Sequence, residues 1–180
     1  MKKAILILLL IATSLIIVSE GVSCSSRASQ ETVPPEMNGN STPPEIGKQA
    51  PNFTVTNLGG KTKALSDFSG SKVLLNFWSV ECAQCAMEMD LLVTVHSQYP
   101  DIQIMMIDSK DDTGTVLWFV RNSNFALPVY MDEKRIAANA YDVHLIPKSF
   151  LIDSNGIIKY IQDGAFVDQT QLEDALRSLQ

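Results

Sequence analysis

One run constrains this 180-residue chain more than any other: Val73-Leu74-Leu75-Asn76-Phe77-Trp78, then Ser79-Val80-Glu81 and Cys82-Ala83-Gln84-Cys85. The first six residues form a short apolar segment rich in aliphatic and aromatic side chains, which predicts a buried strand over 73–78. The residues after Cys85 (Ala86, Met87, Glu88, Met89, Leu91, Leu92) favour helix. A strand that delivers a C-x-x-C to the start of a helix suits a redox dithiol. Residues i and i+3 of a helical turn lie side by side, so two sulfurs can bond with little backbone movement. The free N–H groups and positive end of the helix favour a thiolate on Cys82, below the free thiol value of about 8.5. Cys82 then attacks and Cys85 resolves.

Two other readings of the pair compete. Zinc needs four ligands, and the remaining candidates are Cys24, His96 and His144, with no second C-x-x-C and no paired histidines. An inert structural pair is the other alternative. The dithiol reading is preferred.

The length suits one domain of ordinary size plus tails, and a hydrophobic content of 46% is enough for a packed core. The first residues are a targeting segment. Lys2 and Lys3 precede an apolar and small-residue run from Ala4 to Val18, which is short for a bilayer span and suits the core of a signal peptide. Without Lys2, Lys3 and Glu20 the net charge moves from −6 to −7, and no basic patch stands out. Nucleic acid is therefore not expected as a partner, nor is an anionic membrane surface contacted through the domain itself.

Residues 1–24 are read as the signal, 25–45 as a flexible linker and 46–180 as the folded domain. The linker is rich in Ser, Pro, Glu, Asn, Gly and Thr, with too little apolar surface to offset the entropy of ordering. In the folded part, strands are expected at 53–56 and 62–64 as a hairpin, then at 73–78, 102–107, 148–152 and 157–161. Helices are expected from the dithiol to Gln98, over 115–122, over 134–140 and over 168–179, with a short extended piece at 128–130. Asn155-Gly156 between two apolar runs marks a hairpin. This order predicts an α/β fold with a central mixed sheet flanked by helices.

The segments Gly47-Lys48-Gln49-Ala50-Pro51-Asn52-Phe53, Leu75-Asn76-Phe77-Trp78, Cys82–Cys85 and Ile146-Pro147-Lys148-Ser149-Phe150-Leu151-Ile152-Asp153 stand in a telling order and spacing. With them, residues 46–180 resemble the thioredoxin-like domains of the TlpA/ResA group, extracytoplasmic thiol–disulfide oxidoreductases related to the thiol-specific antioxidant family. The resemblance implies a thioredoxin-like fold with an N-terminal β-hairpin. It implies Cys82 as attacking and Cys85 as resolving cysteine, and Pro147 as a cis-proline beside the dithiol. A cis bond there turns the preceding backbone outward, so that Ile146 pairs with a substrate peptide by strand addition. It places Glu88 where such proteins carry a buried acid, able to take the resolving thiol's proton if burial raises its pKa; a solvated helix glutamate is the alternative. Trp78 and Glu81, flanking the dithiol, are candidate substrate contacts.

The chain also departs from the group. Glu81 and Gln84 stand where Trp and Pro are usual, and Asp90 replaces a proline. A Glu81 carboxylate within about 6 Å of the Cys82 sulfur would disfavour the thiolate, whereas one pointing into solvent would be screened. His144, three residues before Pro147, and His96 are read as exposed.

The resemblance implies a membrane-tethered reductase of protein disulfides, with cytochrome c apoproteins among the possible substrates, a membrane thiol transporter as electron donor, and no cofactor or metal. Two rivals stay open. A thiol peroxidase of the antioxidant family is loosely echoed by Ser79-Val80-Glu81-Cys82, although Leu75 occupies the place of that family's proline. A redox-silent binding module is the other.

Gly21-Val22-Ser23-Cys24 resembles a bacterial lipoprotein signal, with Cys24 as the lipidated N-terminus; Gly21 and Glu20 depart from that pattern. An uncleaved anchor and plain secretion are the alternatives, and all three place the dithiol outside the reducing cytosol. Mass spectrometry of the mature N-terminus is expected to find lipid on Cys24. An intact Met1, or a bare Cys24 from native membranes, rules lipidation out.

Overall fold

A computed structural model describes residues 43–180 apart from Asn124. The signal segment, Cys24 and the linker as far as residue 42 lie outside the described residues. Seven strands follow in chain order: β1 (Thr54–Asn57), β2 (Thr62–Ala64), β3 (Lys72–Trp78), β4 (Ile102–Asp108), β5 (Val129–Met131), β6 (Lys148–Ile152) and β7 (Ile158–Asp163). Four helices join them: α1 (Ala83–Gln98), α2 (Thr113–Asn122), α3 (Ile136–Ala140) and α4 (Gln169–Leu176).

The strands form one mixed sheet in the order β2-β1-β5-β4-β3-β6-β7. β3, β4 and β5 run parallel, while β1, β6 and β7 pair antiparallel with their neighbours. The chain steps from β3 through α1 to β4 and through α2 to β5, always in one direction across the sheet. Right-handed crossovers therefore put α1 and α2 on the same face. α4 joins them over Leu74, Trp78, Ile104, Met106 and Leu151. The opposite face packs Leu75, Phe77, Met105, Ile107 and Phe150 against α3, Phe53, Val55 and Tyr141. The expected thioredoxin-like fold is the observed one.

β3 is buried from Val73 to Trp78, which is why it reads, Asn76 apart, as an apolar run rather than an alternating one. Leu74 and Trp78 face one core and Leu75 and Phe77 the other, each contributing about 1.5–3 kcal/mol by burial. The β1–β2 hairpin turns at Gly60, whose φ of 79° suits glycine, and Asn57 Oδ1 accepts the N–H groups of Gly59 and Lys61. The second hairpin turns at Gly156, with Asp153 Oδ1 accepting from Asn155 and Ile157.

Several boundaries differ from the sequence expectation, each for a local reason. α2 starts two residues early because Asp112 caps it, accepting from the Thr115 N–H. α3 starts at Ile136 rather than Lys134, because Arg135 sits in the left-handed region at φ 55° and its N–H closes a turn onto the Asp132 carbonyl. The last helix is capped by Asp168 and tightens into a 3-10 turn over Arg177–Leu179. β1 also pairs with β5, a long-range contact that no local pattern encodes.

Tyr141 locks the second face. It is fully buried, its ring meets Phe53 and Phe150 edge-on, and its hydroxyl donates to the Pro51 carbonyl at 3.0 Å. Burial pushes its hydroxyl pKa up. Tyr141→Phe is expected to cost about 1 kcal/mol through the lost hydrogen bond, and Tyr141→Ala about 3–5 kcal/mol through the cavity. Urea denaturation measures both; an unchanged midpoint for Tyr141→Phe would show that the hydroxyl contributes nothing.

Candidate active site

The parallel strands β3 and β4 end together, with Trp78 in register with Asp108. At that edge the chain leaves β3 through Ser79-Val80-Glu81 and enters α1. Cys82 is the N-cap of α1, and its Sγ accepts the Cys85 N–H at 3.1 Å. The two cysteines form a disulfide across 5.2 Å between Cα atoms. They are not equivalent: Cys82 is half-buried, whereas Cys85 is fully buried beneath the helix. An incoming sulfur can therefore approach Cys82 and not Cys85.

Ile146–Pro147 is a cis peptide, as expected. β6 starts one residue later, with Lys148 opposite Phe77, so Pro147 lies at the sheet edge where β3 delivers the dithiol. The Pro147 carbonyl accepts the Gly164 N–H, bringing the segment after β7 to the same edge. Ile146 is half-buried and packs against the core cluster that contains Cys85 and borders Cys82.

Glu88 lies one helical turn after Cys85 and is 1% exposed, which excludes the solvated alternative. Its Oε1 accepts from Asn76 Nδ2 at 2.7 Å, and its Oε2 accepts from the Phe166 N–H at 2.9 Å. Asn76 Nδ2 also donates to Ser149 Oγ at 2.8 Å. Burial raises the Glu88 pKa, and the bonds from Phe166 and Asn76 only partly oppose it. The result is an acid inside the protein, on the same helix face as the buried sulfur.

The expectation for Trp78 needs correction. It is fully buried, between Phe119 and Phe125 at centroid distances of 5.6 and 5.5 Å, and offers a substrate no surface. Strand alternation turns it into the α1–α2 core, where it supports the dithiol loop from beneath. Glu81 is exposed, the solvent-facing alternative. His144 is also exposed, with its Nε2 2.8 Å from Asp142 Oδ1, and His96 faces solvent. Among the described residues no three His, Cys, Asp or Glu side chains gather as a metal site requires.

Both partners of Glu88, Asn76 and Phe166, escaped the sequence reading, as did Ser149, which Asn76 also holds. Asn76 carried a usable signal, since an amide inside an otherwise apolar buried strand needs a polar partner. Phe166 carried none, because it contributes only a backbone N–H.

The AhpC/TSA family model matches residues 46–161. The chain is 37% identical over 140 residues to thiol-disulfide oxidoreductase ResA of Bacillus cereus (strain ATCC 10987 / NRS 248), covering 75% of this chain and 79% of that one. It is 31% identical over 122 residues to the thioredoxin-like protein YneN of Bacillus subtilis, covering 66% and 71%. Among solved structures, it superposes with a TM-score of 0.70 on a Chlorobium tepidum protein provisionally described as the thiol:disulfide interchange protein DsbE. That match is 28% identical and covers 76% of this chain and 99% of the other.

The raised Glu88 pKa has a defined sign for stability. The protonated form's advantage is fully present below the unfolded carboxyl value of about 4.3 and is lost as pH rises through the higher native value. Glu88→Gln cannot ionise, but it turns one acceptor toward a donor. In urea denaturation of the oxidised protein, the stability difference is expected to shift in the variant's favour as pH rises from about 5 to about 8. A difference that stays constant over that range would show that Glu88 does not ionise within it.

Proposed function

The chain belongs to the AhpC/TSA family and is a thiol–disulfide oxidoreductase, and from that premise we propose that it reduces protein disulfides outside the cytosol. The observation that carries this reading is the pairing of an accessible sulfur with a buried one that lies one helical turn from a buried acid. In the reduced protein, the Cys82 thiolate attacks one sulfur of a substrate disulfide. A mixed disulfide forms and the substrate's other sulfur leaves as a thiolate. Cys85 then gives its proton to Glu88 and attacks the Cys82 sulfur, expelling the second substrate thiolate. Two electrons pass to the substrate, and the protein is left with the Cys82–Cys85 disulfide seen in the structure.

The chain's own groups assist each step. The Cys85 N–H that points at Cys82 Sγ stabilises a thiolate there, as does the positive end of α1. Glu88, held up in pKa by burial, is a stronger proton acceptor than a surface glutamate. Three segments that converge on the dithiol each present an exposed apolar side chain: Met87 at 76%, Leu145 at 82% and Val167 at 79%. Such a rim suits an unfolded polypeptide, with Ile146 offering its backbone to an extended peptide and Glu81 at the solvent side. Apocytochrome c fits this substrate class. The apolar leader, Cys24 and the Ser- and Pro-rich stretch after it support a lipid tether at the outer face of the membrane, where a membrane thiol transporter would return electrons.

Stopped-flow reduction of a disulfide-containing protein tests the mechanism. Cys85→Ser is expected to accumulate the mixed disulfide, and Glu88→Gln to slow its release about 100-fold while barely changing its formation. Equal slowing of both steps removes Glu88 from the chemistry. A reduction potential of about −270 mV or lower is expected for the Cys82–Cys85 pair, and one near about −120 mV would reverse the direction of electron flow.

A further inference from the structure

We propose that Asp108 and Asp111 form a proton-sharing carboxyl pair that positions the loop delivering Cys82, with Asp111 as the residue that ties the loop down. The inference rests on the reading of Cys82 as the attacking sulfur.

The geometry starts from the sheet. β4 ends at Asp108 beside Trp78, so the loop after β4 runs alongside the loop after β3. Asp111 Oδ2 accepts the Val80 N–H at 2.7 Å, two residues before Cys82. Within its own segment, the dithiol loop has the Cys82 N–H bonded to the Ser79 carbonyl at 3.3 Å. Asp111 thus fixes the approach to the N-cap from outside.

Asp108 fixes Asp111 in turn. It is fully buried, and its Oδ1 accepts the Lys110 and Asp111 N–H groups, each at 2.9 Å, curling the loop back on itself. Because Asp108 Oδ1 holds the Asp111 N–H, the two carboxyl groups belong to one tight turn. Asp108 Oδ2 is buried and receives no donor. Two ionised carboxylates close together at a buried site repel strongly, and an orphaned buried acceptor is costly. A single proton on Asp108 removes both problems. It turns Oδ2 into a donor toward Asp111 and leaves Asp111 negative to hold the Val80 N–H.

Burial first, then the neighbouring Asp111, raise the Asp108 pKa to about 6 against the two backbone hydrogen bonds. The stability that the Asp108 proton contributes is therefore fully present below the unfolded carboxyl value of about 3.9 and is lost as pH rises through about 6. Above that, the Asp108 charge pushes against Asp111, loosens the Val80 tie and adds negative potential near the Cys82 thiolate. Other charged groups surround the pair. Asp132 donates its N–H to the Asp108 carbonyl, and Arg135 donates to Ser109 Oγ. Lys110 and Asp112 belong to the pair's own loop, and Glu81 is next to Val80.

The test is NMR on the full, isotopically labelled chain in its disulfide form, where the thiols are silent. Between about pH 5 and about pH 8 the Val80 amide and the Asp108 carboxyl carbon are expected to shift together with a midpoint near 6. In Asp108→Asn, whose amide donates to Asp111 at every pH, the Val80 shift over that range should shrink at least about threefold. In the reduced variant, alkylation of Cys82 near pH 7 should run about threefold faster than in wild type, because a negative charge is gone. A wild-type Val80 amide that does not move with Asp108 overturns the proposal without any variant. So does an Asp108→Asn protein whose Val80 amide titrates as in wild type. The Val80 response does not depend on turnover, so a chain that titrates as expected but reduces no disulfide overturns the proposed function and upholds the pair.

Discussion

Burial of β3 on both faces is the constraint on which the rest of the structure depends. A strand covered on one face only would alternate polar and apolar residues and would need one layer of helices. β3 places Leu74 and Trp78 under α1 and Leu75 and Phe77 over Tyr141 and Phe150, so it anchors both cores at once. The reactive loop grows directly from its end. Cys82 therefore inherits the rigidity of the best-packed strand, and its position in space is fixed by hydrophobic packing.

Into this apolar strand the chain inserts one amide, Asn76, and beneath the dithiol one carboxyl, Glu88. Both are costly to bury alone. Together with Ser149 and the Phe166 N–H they form a network in which each Glu88 oxygen has a donor. The balance is incomplete: desolvation outweighs the hydrogen bonds, so the acid holds its proton more tightly than a surface glutamate. That residual imbalance gives the site a proton acceptor of useful basicity. A fully compensated carboxylate would be a weaker base, and an uncompensated one would destabilise the fold.

The two sulfurs differ for the same reason. A helix N-cap lies at the boundary of its element, and a residue three positions on points into the core. The chain needs no further device to make Cys82 accessible and Cys85 protected. At the same edge, Pro147 and the Cys82–Cys85 pair come from segments far apart in sequence. They meet because β3 and β6 are paired and because α1 begins where β3 ends.

Much of this was legible in the sequence. Period and composition located every strand, the hairpin glycines marked the turns, and the spacing of Cys82 and Cys85 identified the dithiol, because these features depend on neighbours a few residues away. Glu88 was recognisable as an acid one turn beyond Cys85, but whether it was buried was not. Trp78 was misjudged as a substrate contact, since a strand residue beside a reactive loop can face either side and only the packing of Phe119 and Phe125 decides which. The pairing of β1 with β5, the grip of Phe166 on Glu88 and that of Asp111 on Val80 join residues 31 to 78 positions apart, or strands on opposite halves of the chain. Local preference carries no information about such contacts, because they form only after the whole sheet has closed around β3. The sequence by itself determined the elements and the reactive pair; the tertiary structure decided which charges were buried beside them, and so how the pair reacts.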